Sequence, residues 1–305
     1  MISVIAPIFN ESESLEELSR RVRDAFIGTD EEYQFILVDN GSFDDSLEQI
    51  RKEKAKDNRI KFIQLTRNFG HQGGILAGMQ YASGDALITL DGDLQHPPEL
   101  IPKMISLWRS GFDVVATEKS TEGRKLHVNN FVRKIFYGAF SLLTKLSLGY
   151  GQSDFRLIDQ KVFNAISSLP EKDVFMRGII EWLGFRQTTL TYDEGERKHG
   201  KSKFSFSNYI QFGVNGIFSF TTLPLKLFVW AGSLILLTSI SFILYDVIVG
   251  DVSSYPPGWA TLVASVLLLS GIQLIGIGIL VGYIVQLIGQ TRNRPSFIVS
   301  ELGLD

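Results

Sequence analysis

No cysteine occurs among the 305 residues, which excludes disulfides, zinc-thiolate sites and cysteine nucleophiles and suits a working part that faces a reducing compartment. Excess charge is missing as well. The 30 Lys and Arg against 33 Asp and Glu leave a formal charge of −3, so no general attraction to nucleic acid is expected, and nucleic acid is not an expected partner. The opening residues MISVIAPIFNES lack a basic region followed by a long apolar core. No cleaved signal peptide is therefore expected, and the first domain should stay in the cytosol. Internal repeats, low-complexity segments and a Walker phosphate loop are also absent. What remains is 45% hydrophobic, enough to bury a substantial core in one large domain or two smaller ones.

The sequence changes character near residue 204. Leu227 to Tyr245 run for 19 residues without a charge, close to the roughly 20 that a helix needs to cross a hydrocarbon core of about 30 Å. A second uncharged run extends from Val252 to Thr291 and is most apolar between Trp259 and Ile288. Two membrane spans are expected, with a pair of buried soluble helices as the alternative. Lys198, Lys201, Lys203 and Lys226 precede the first run, Arg292 and Arg294 follow the second, and the connecting segment has neither Lys nor Arg. The positive-inside rule then puts both ends in the cytoplasm. Gly271, Gly278 and Gly282 would allow close helix packing in the second run. Between the soluble part and the first run, Phe204, Phe206, Tyr209, Phe212, Phe218 and Phe220 alternate with polar residues. Helices lying in the membrane interface fit this pattern, and a buried connector is the alternative.

Over the first 200 residues strand and helix signals alternate. ISVIAPIF, YQFILVD, IKFIQL, ALITLD and DVVAT are short apolar runs. Helical stretches at 44–56, 73–82 and 98–110 lie between them. A further helix follows the first strand, with Leu15, Leu18, Val22 and Ala25 at helical intervals and a capping-box spacing of Ser14 and Glu17. This order predicts an α/β domain with a parallel sheet covered on both faces.

In such sheets ligands sit beyond the carboxyl ends of the strands. Those ends are polar here: Asn10 and Glu11, Asp39 and Asn40, Arg67 and Asn68, Asp91 and Asp93. Alternate residues of an extended chain share a face, so Asp91 and Asp93 can aim at one point. Their repulsion is relieved by a hard divalent cation, Mg2+ or Mn2+, which prefers such oxygen ligands together with phosphate and water.

The segments APIFNESESLEEL, FILVDNGSFDDSLEQI, TRNFGHQGGILAGMQYASGDALITLDGDLQHPPEL and SDFRLID resemble, in order, the motifs of family 2 glycosyltransferases with the GT-A fold. Within that family they look like the polyprenyl-phosphate branch, which holds dolichol-phosphate mannose synthases and bactoprenol glucosyltransferases. The resemblance continues through ERKHGKSKFSF to RNRPSFIV. It implies transfer of a sugar from a nucleotide sugar to a membrane polyprenyl phosphate, with inversion at the anomeric carbon.

Carried over residue by residue, the resemblance puts Pro7, Asn10, Glu11 and Asp39 around the base and ribose of the nucleotide sugar, where a carboxylate can accept the N3–H of uracil. Asp91 then lies near the diphosphate and metal, with Asp93 and Gln95 as the more direct metal ligands. Asn40 stands where the family usually has a second Asp, and His96 where it often has Asp, so His96 is read as structural. Asp154 matches the catalytic position, either as a general base or as a group that positions the acceptor, with a structural pair to Arg156 as the plain alternative. Because a phosphate monoester has a second pKa of about 6, much of the acceptor is already ionised at neutral pH. Arg197 and Lys203 are assigned to donor or lipid phosphate, and Arg124 and Arg133 to the acceptor. Gly73, Gly74 and Gly78 are expected to serve close helix packing.

These readings give a GT-A catalytic domain at 1–203, interfacial helices at 204–222, a two-helix membrane hairpin at 223–291 and a cytosolic tail at 292–305. The expected partners are a UDP-sugar, polyprenyl (undecaprenyl) phosphate, membrane lipids and, by resemblance, further copies of the chain in a tetramer. The bacterial inner membrane is the expected location. Glucose is the expected sugar; mannose from GDP-mannose and a catalytically silent nucleotide-binding scaffold are the alternatives. A processive synthase is disfavoured because no Q-x-x-R-W motif is present, and a flippase because two helices per subunit leave little room for a transport path.

Overall fold

The computed structural model describes residues 1–120, 152–169, 176–192, 259–291 and 294–304, with isolated positions between 228 and 237. It divides into one unit of Met1–Ser205 with Asn293–Asp305 and another of Phe206–Arg292. In the first unit β1 (Ile2–Ile8), α1 (Leu15–Phe26), β2 (Tyr33–Asp39), α2 (Ser46–Lys56), β3 (Ile60–Leu65), α3 (Gly70–Gln80), β4 (Ala86–Thr89), α4 (Ile101–Arg109) and β5 (Val114–Lys119) follow one another. Then come β6 (Gln152–Asp159), α5 (Gln160–Ser167), α6 (Met176–Leu183) and β7 (Gln187–Tyr192). The second unit contributes α7 (Trp259–Thr291), after which β8 (Val299–Gly303) returns to the first.

All eight strands form one sheet in the order β7-β5-β6-β4-β1-β2-β3-β8. The sheet is a GT-A-like α/β arrangement, but it is mixed rather than parallel. Helical crossovers make β1–β2, β2–β3 and β1–β4 parallel, and β5–β7 is parallel too. β6 runs against both β4 and β5, and β8 runs against β3. An apolar run has no direction, so this reversal could not be read from the pattern. It matters for function because the start of an antiparallel strand meets the ends of its neighbours. Arg156 of β6 pairs with Thr89 of β4, bringing Asp154 level with the residues that follow β4.

The core explains why these elements form. Strands β1 and β4 are buried along their entire length, as expected for strands covered on both faces. α1 buries Leu15, Leu18, Val22, Ala25 and Phe26 along one face, the stripe that helical spacing predicts. Its expected capping box does not form. Ser14 makes no side-chain cap; its buried hydroxyl lies 2.6 Å from the Gly92 carbonyl and 2.8 Å from that of Glu11. α3 lies close on the sheet through glycines, since a Cβ on Gly78 would come 2.2 Å from Ile5 Cγ2 and one on Gly74 2.8 Å from Pro7 Cβ. No strand is expected from the sequence at 299–303. The observed β8 covers the edge of β3, with Thr66 N–H donating to the Ile298 carbonyl and Arg51 bonding Glu301.

Within the second unit α7 is a single helix of 33 residues. Its close approach is at Gly276, where a Cβ would lie 1.9 Å from the Phe228 ring, whereas a Cβ on Gly278 would meet nothing within 4 Å among the described residues. Counted on the described residues alone, no helix is long and apolar enough to cross a membrane. The expected span at 227–245 and the interfacial segment lie largely outside those residues.

Candidate active site

The strand ends that the sequence singles out are joined by hydrogen bonds. Asn10 adopts a left-handed φ of 56°, which Asn tolerates better than most residues. Its N–H donates to Ser42 Oγ at 3.1 Å, its side-chain oxygen accepts from Phe43 N–H at 2.8 Å, and Glu11 N–H donates to Ser46 Oγ at 3.0 Å. Asp39 is buried and its Oδ1 accepts from Ser42 N–H at 3.0 Å. Pro7 is buried in β1 under Gly74. The loops after β1 and β2 thus form one braced unit.

Asn40, which stands where the resemblance leads one to expect an acidic residue, uses both ends of its side-chain amide. Its Nδ2 donates to the Gly70 carbonyl at 2.9 Å and its Oδ1 accepts from Phe69 N–H at 2.9 Å. The side-chain amide therefore clamps the first turn of α3, which begins at Gly70. A carboxylate could accept but not donate. Close approach is enforced at Gly41, with φ of 72°, where a Cβ would meet the Arg67 backbone at 2.6 Å.

After β4 the chain turns sharply through Asp91-Gly92-Asp93-Leu94-Gln95-His96. Leu94 takes a φ of 65°, a strained conformation that persists only where the surroundings enforce it. Asp93 Oδ1 accepts from Gln95 N–H at 3.2 Å, and Asp91 N–H donates to Nδ1 of the buried His96 at 2.9 Å. That bond fixes Nδ1 as the acceptor, so Nε2 carries the proton toward Ser153 Oγ, 2.8 Å away on β6. His96 stacks on Phe155 with ring centroids 5.4 Å apart, and burial lowers its pKa. It is a structural histidine, as the sequence indicates, and it ties the Asp91 turn to the strand that bears Asp154.

Asp154 is surrounded by cations. Arg177 of α6 grips it with Nε to Oδ1 at 2.9 Å and Nη2 to Oδ2 at 3.0 Å, and Arg156 Nη2 lies 3.3 Å from Oδ1. His71 Nε2, in the first turn of α3, stands 3.5 Å from Asp154 Oδ2 and 3.4 Å from Asp91 Oδ1. Burial alone would favour the neutral acid, but Arg177, His71 and Arg156 outweigh it and hold Asp154 well below the usual carboxylate range. For His71 burial works against the proton, yet Asp91 and Asp154 prevail and raise its pKa to about 9. A carboxylate so stabilised is a poor proton acceptor.

Asp91 and Asp154 are thus brought together through His71, and Asp93 and Gln95 lie on the same turn as Asp91. Arg124, Arg133, Arg197 and Lys203 lie outside the described residues. Sequence reasoning passed over His71, Ser153 and Arg177. The only signal for His71 was its place in NFGHQGG at a helix start, and Arg177 stands 23 residues from its partner. Asp91 Oδ1 is buried and makes no hydrogen bond, although the His71 imidazole lies 3.4 Å away, and a carboxylate oxygen placed so can serve a hard cation. No group of three or more His, Cys, Asp or Glu able to hold a metal occurs among the described residues, so Asp91, Asp93 and Gln95 could supply only part of a coordination shell.

Solved structures resemble the chain distantly. Glucosyl-3-phosphoglycerate synthase of Mycobacterium tuberculosis, in a complex with Mn2+, UDP-glucose and phosphoglyceric acid, is 16% identical with a TM-score of 0.48, covering 71% of this chain and 76% of that one. A mannosyltransferase of Pyrobaculum calidifontis in complex with GDP-mannose and Mn2+ is 15% identical with a TM-score of 0.45, over 93% and 86%. Sequence similarity is much stronger. An uncharacterised glycosyltransferase of Synechocystis is 38% identical, covering 100% of this chain and 96% of its own. A prophage-derived bactoprenol glucosyl transferase of Shigella flexneri is 33% identical over 98% and 97%. The model of glycosyl transferase family 2 matches residues 3–167, a stretch that runs from β1 through Asp91 and Asp154 to the end of α5, and the chain belongs to that family.

Proposed function

We propose that this glycosyltransferase moves glucose from UDP-glucose to polyprenyl phosphate, with inversion, at the cytosolic face of a bacterial inner membrane. The observation that carries the reading is the similarity, along nearly the whole chain, to proteins named bactoprenol glucosyl transferase. The site chemistry agrees with it. Asp39, Asn10 and Glu11 offer polar groups for the nucleoside, and Asp91, Asp93 and Gln95 would hold Mg2+ or Mn2+ with the donor diphosphate completing the shell. Such a cation neutralises charge growing on the departing diphosphate.

The group transfer needs little proton chemistry. An oxygen of the acceptor phosphate forms the new bond to the anomeric carbon while the bond from that carbon to the β-phosphate oxygen breaks, and its electron pair leaves on UDP. An acceptor dianion becomes a monoanionic diester, and UDP takes up the charge. No base is required, which agrees with Asp154 being held ionised by cations. Two uncharged segments, 227–245 and 252–291, would anchor the enzyme beside its lipid acceptor, preceded by interfacial helices at 204–222. Pairing of β8 with β3 favours an even number of crossings, because residues 299–303 share a sheet with the site. Assembly into tetramers is part of the same proposal.

The test supplies membranes holding the full-length protein with undecaprenyl phosphate, Mg2+ and radiolabelled UDP- and GDP-sugars, and follows label into the organic phase with and without chelator. Metal-dependent label from UDP-glucose alone is expected. Label from GDP-mannose instead would replace the sugar, and UDP binding without label from any donor would favour a silent scaffold.

A further inference from the structure

His71 is fixed at its backbone and open at its side chain. It is the second residue of α3, whose first turn is pinned from outside the helix. Asn40 bonds both Phe69 N–H and the Gly70 carbonyl, and Gly70 N–H donates to Asn68 Oδ1 at 2.7 Å. Farther along, the close approach of Gly74 to Pro7 and of Gly78 to Ile5 seats the same helix on the sheet. The imidazole itself is 39% exposed, so it is not part of the core. Its Nε2 lies 3.4 Å from Asp91 Oδ1 and 3.5 Å from Asp154 Oδ2. A ring nitrogen facing two carboxylate oxygens must carry its proton, since a lone pair there would be repelled by both. The two carboxylates do not depend on it equally. Asp154 is also held by Arg177 and Arg156. Asp91 Oδ1 makes no hydrogen bond and faces His71, while the ring of His96 stands 3.5 Å from its other oxygen.

Resting on the reading above, in which Asp91 serves the donor and Asp154 the acceptor, we infer that His71 is a positioning residue: its Nε2–H holds the Asp91 carboxylate at a set offset from Asp154 and so aligns the donor with the incoming phosphate. The two carboxylates come from different elements, the turn after β4 and the start of β6, and like charges that share a gap repel. One N–H placed between them offsets that repulsion and limits the rotation of Asp91. Alignment is the quantity at stake, because the acceptor oxygen must approach the anomeric carbon opposite the departing diphosphate, and a misplacement of about 1 Å can cost roughly 100-fold in rate. In this role His71 acts through Asp91 and need not touch either substrate.

The test compares full-length wild type with His71→Gln, His71→Asn and His71→Ala, measuring Tm, UDP affinity by calorimetry in the presence of Mg2+, and kcat and KM for transfer from UDP-glucose to undecaprenyl phosphate. Side-chain length separates the variants, because the amide nitrogen of Gln reaches as far as imidazole Nε2 whereas that of Asn stops near Nδ1. His71→Ala and His71→Asn are expected to lower kcat by roughly 10- to 100-fold. Tm should stay within about 2 °C and UDP affinity within about threefold of wild type, as for a substitution outside the core. His71→Gln should recover most of the lost kcat, a rescue that neither a lost charge nor a loosened helix would show. An unchanged kcat in His71→Ala, a loss in His71→Gln as large as in His71→Asn, or a fall in UDP affinity or Tm that accounts for the lost transfer overturns the positioning role. A wild type that binds UDP and transfers nothing to undecaprenyl phosphate overturns the proposed function, and the role of His71 with it.

Discussion

Replacing Asn40 by Asp introduces the residue that the family resemblance leads one to expect at this position, yet here it should loosen the site. Asn40 is 3% exposed and spends its donor on the Gly70 carbonyl and its acceptor on Phe69 N–H. An ionised Asp keeps the second bond and turns an oxygen toward the Gly70 carbonyl. Leaving a buried acceptor unsatisfied costs about 1–3 kcal/mol, and burying a charge against a second oxygen adds to it, for roughly 2–4 kcal/mol in all. That cost falls on the first turn of α3. Amides of residues 69–73 should then exchange roughly 30- to 1,000-fold faster, as local opening becomes easier by that amount. Hydrogen exchange read by mass spectrometry on the full-length protein reports it directly. The pH dependence supplies an internal check. Burial raises the folded-state pKa of the new carboxyl above its unfolded value, so the penalty is present above that raised pKa and relieved as pH falls through it, when the protonated acid can donate to Gly70. Exchange equal to wild type at pH 7, or a deficit that grows in acid, would refute this account of Asn40.

Three further outcomes are expected. Ser14→Ala removes the hydroxyl beside the Gly92 carbonyl and should cost about 1 kcal/mol, seen as a lower Tm together with a reduced kcat. Gly78→Ala drives a Cβ into Ile5 Cγ2; overpacking of this kind costs about 1–3 kcal/mol, so Tm should fall while UDP still binds at saturating concentration. His96, whose pKa burial depresses, is neutral in the fold. Unfolded chains take up its proton first, so stability is full above the unfolded pKa of about 6.5 and declines as pH falls toward the lower folded value. Scanning calorimetry should show His96→Gln flattening this decline, although its Tm at neutral pH is lower.

The α/β alternation and the apolar stripe of α1 were legible because each depends on periodicity or on close neighbours in sequence, whereas Asp91 and Asp93, expected on one face of an extended chain, stand on a sharp turn. Strand direction was not legible, and so the antiparallel β6 that carries Asp154 beside Asp91 was invisible. Ser14 and Glu17 had the spacing of a capping box, but a carbonyl 78 residues away claimed the Ser14 hydroxyl. Asn40 looked like a lost charge until its partners, 29 and 30 residues distant, showed an amide used at both ends. Arg177 had no local signature at all. Long-range partners decide such roles, and one sequence does not name them.

The position of β8 also sets an order of events. Arg51 and Glu301, which meet across this edge, are 250 residues apart, and everything between them is translated before they can pair. While the chain is being made, β3 presents an open row of backbone donors and acceptors, a template for pairing with any neighbouring strand. Nascent domains begin to fold from the N-terminus at the ribosome's pace, but this sheet completes its outer edge only after residues 299–303 have been made. Closure of this edge thereby reports that α7, which precedes β8 in the sequence, has already been made.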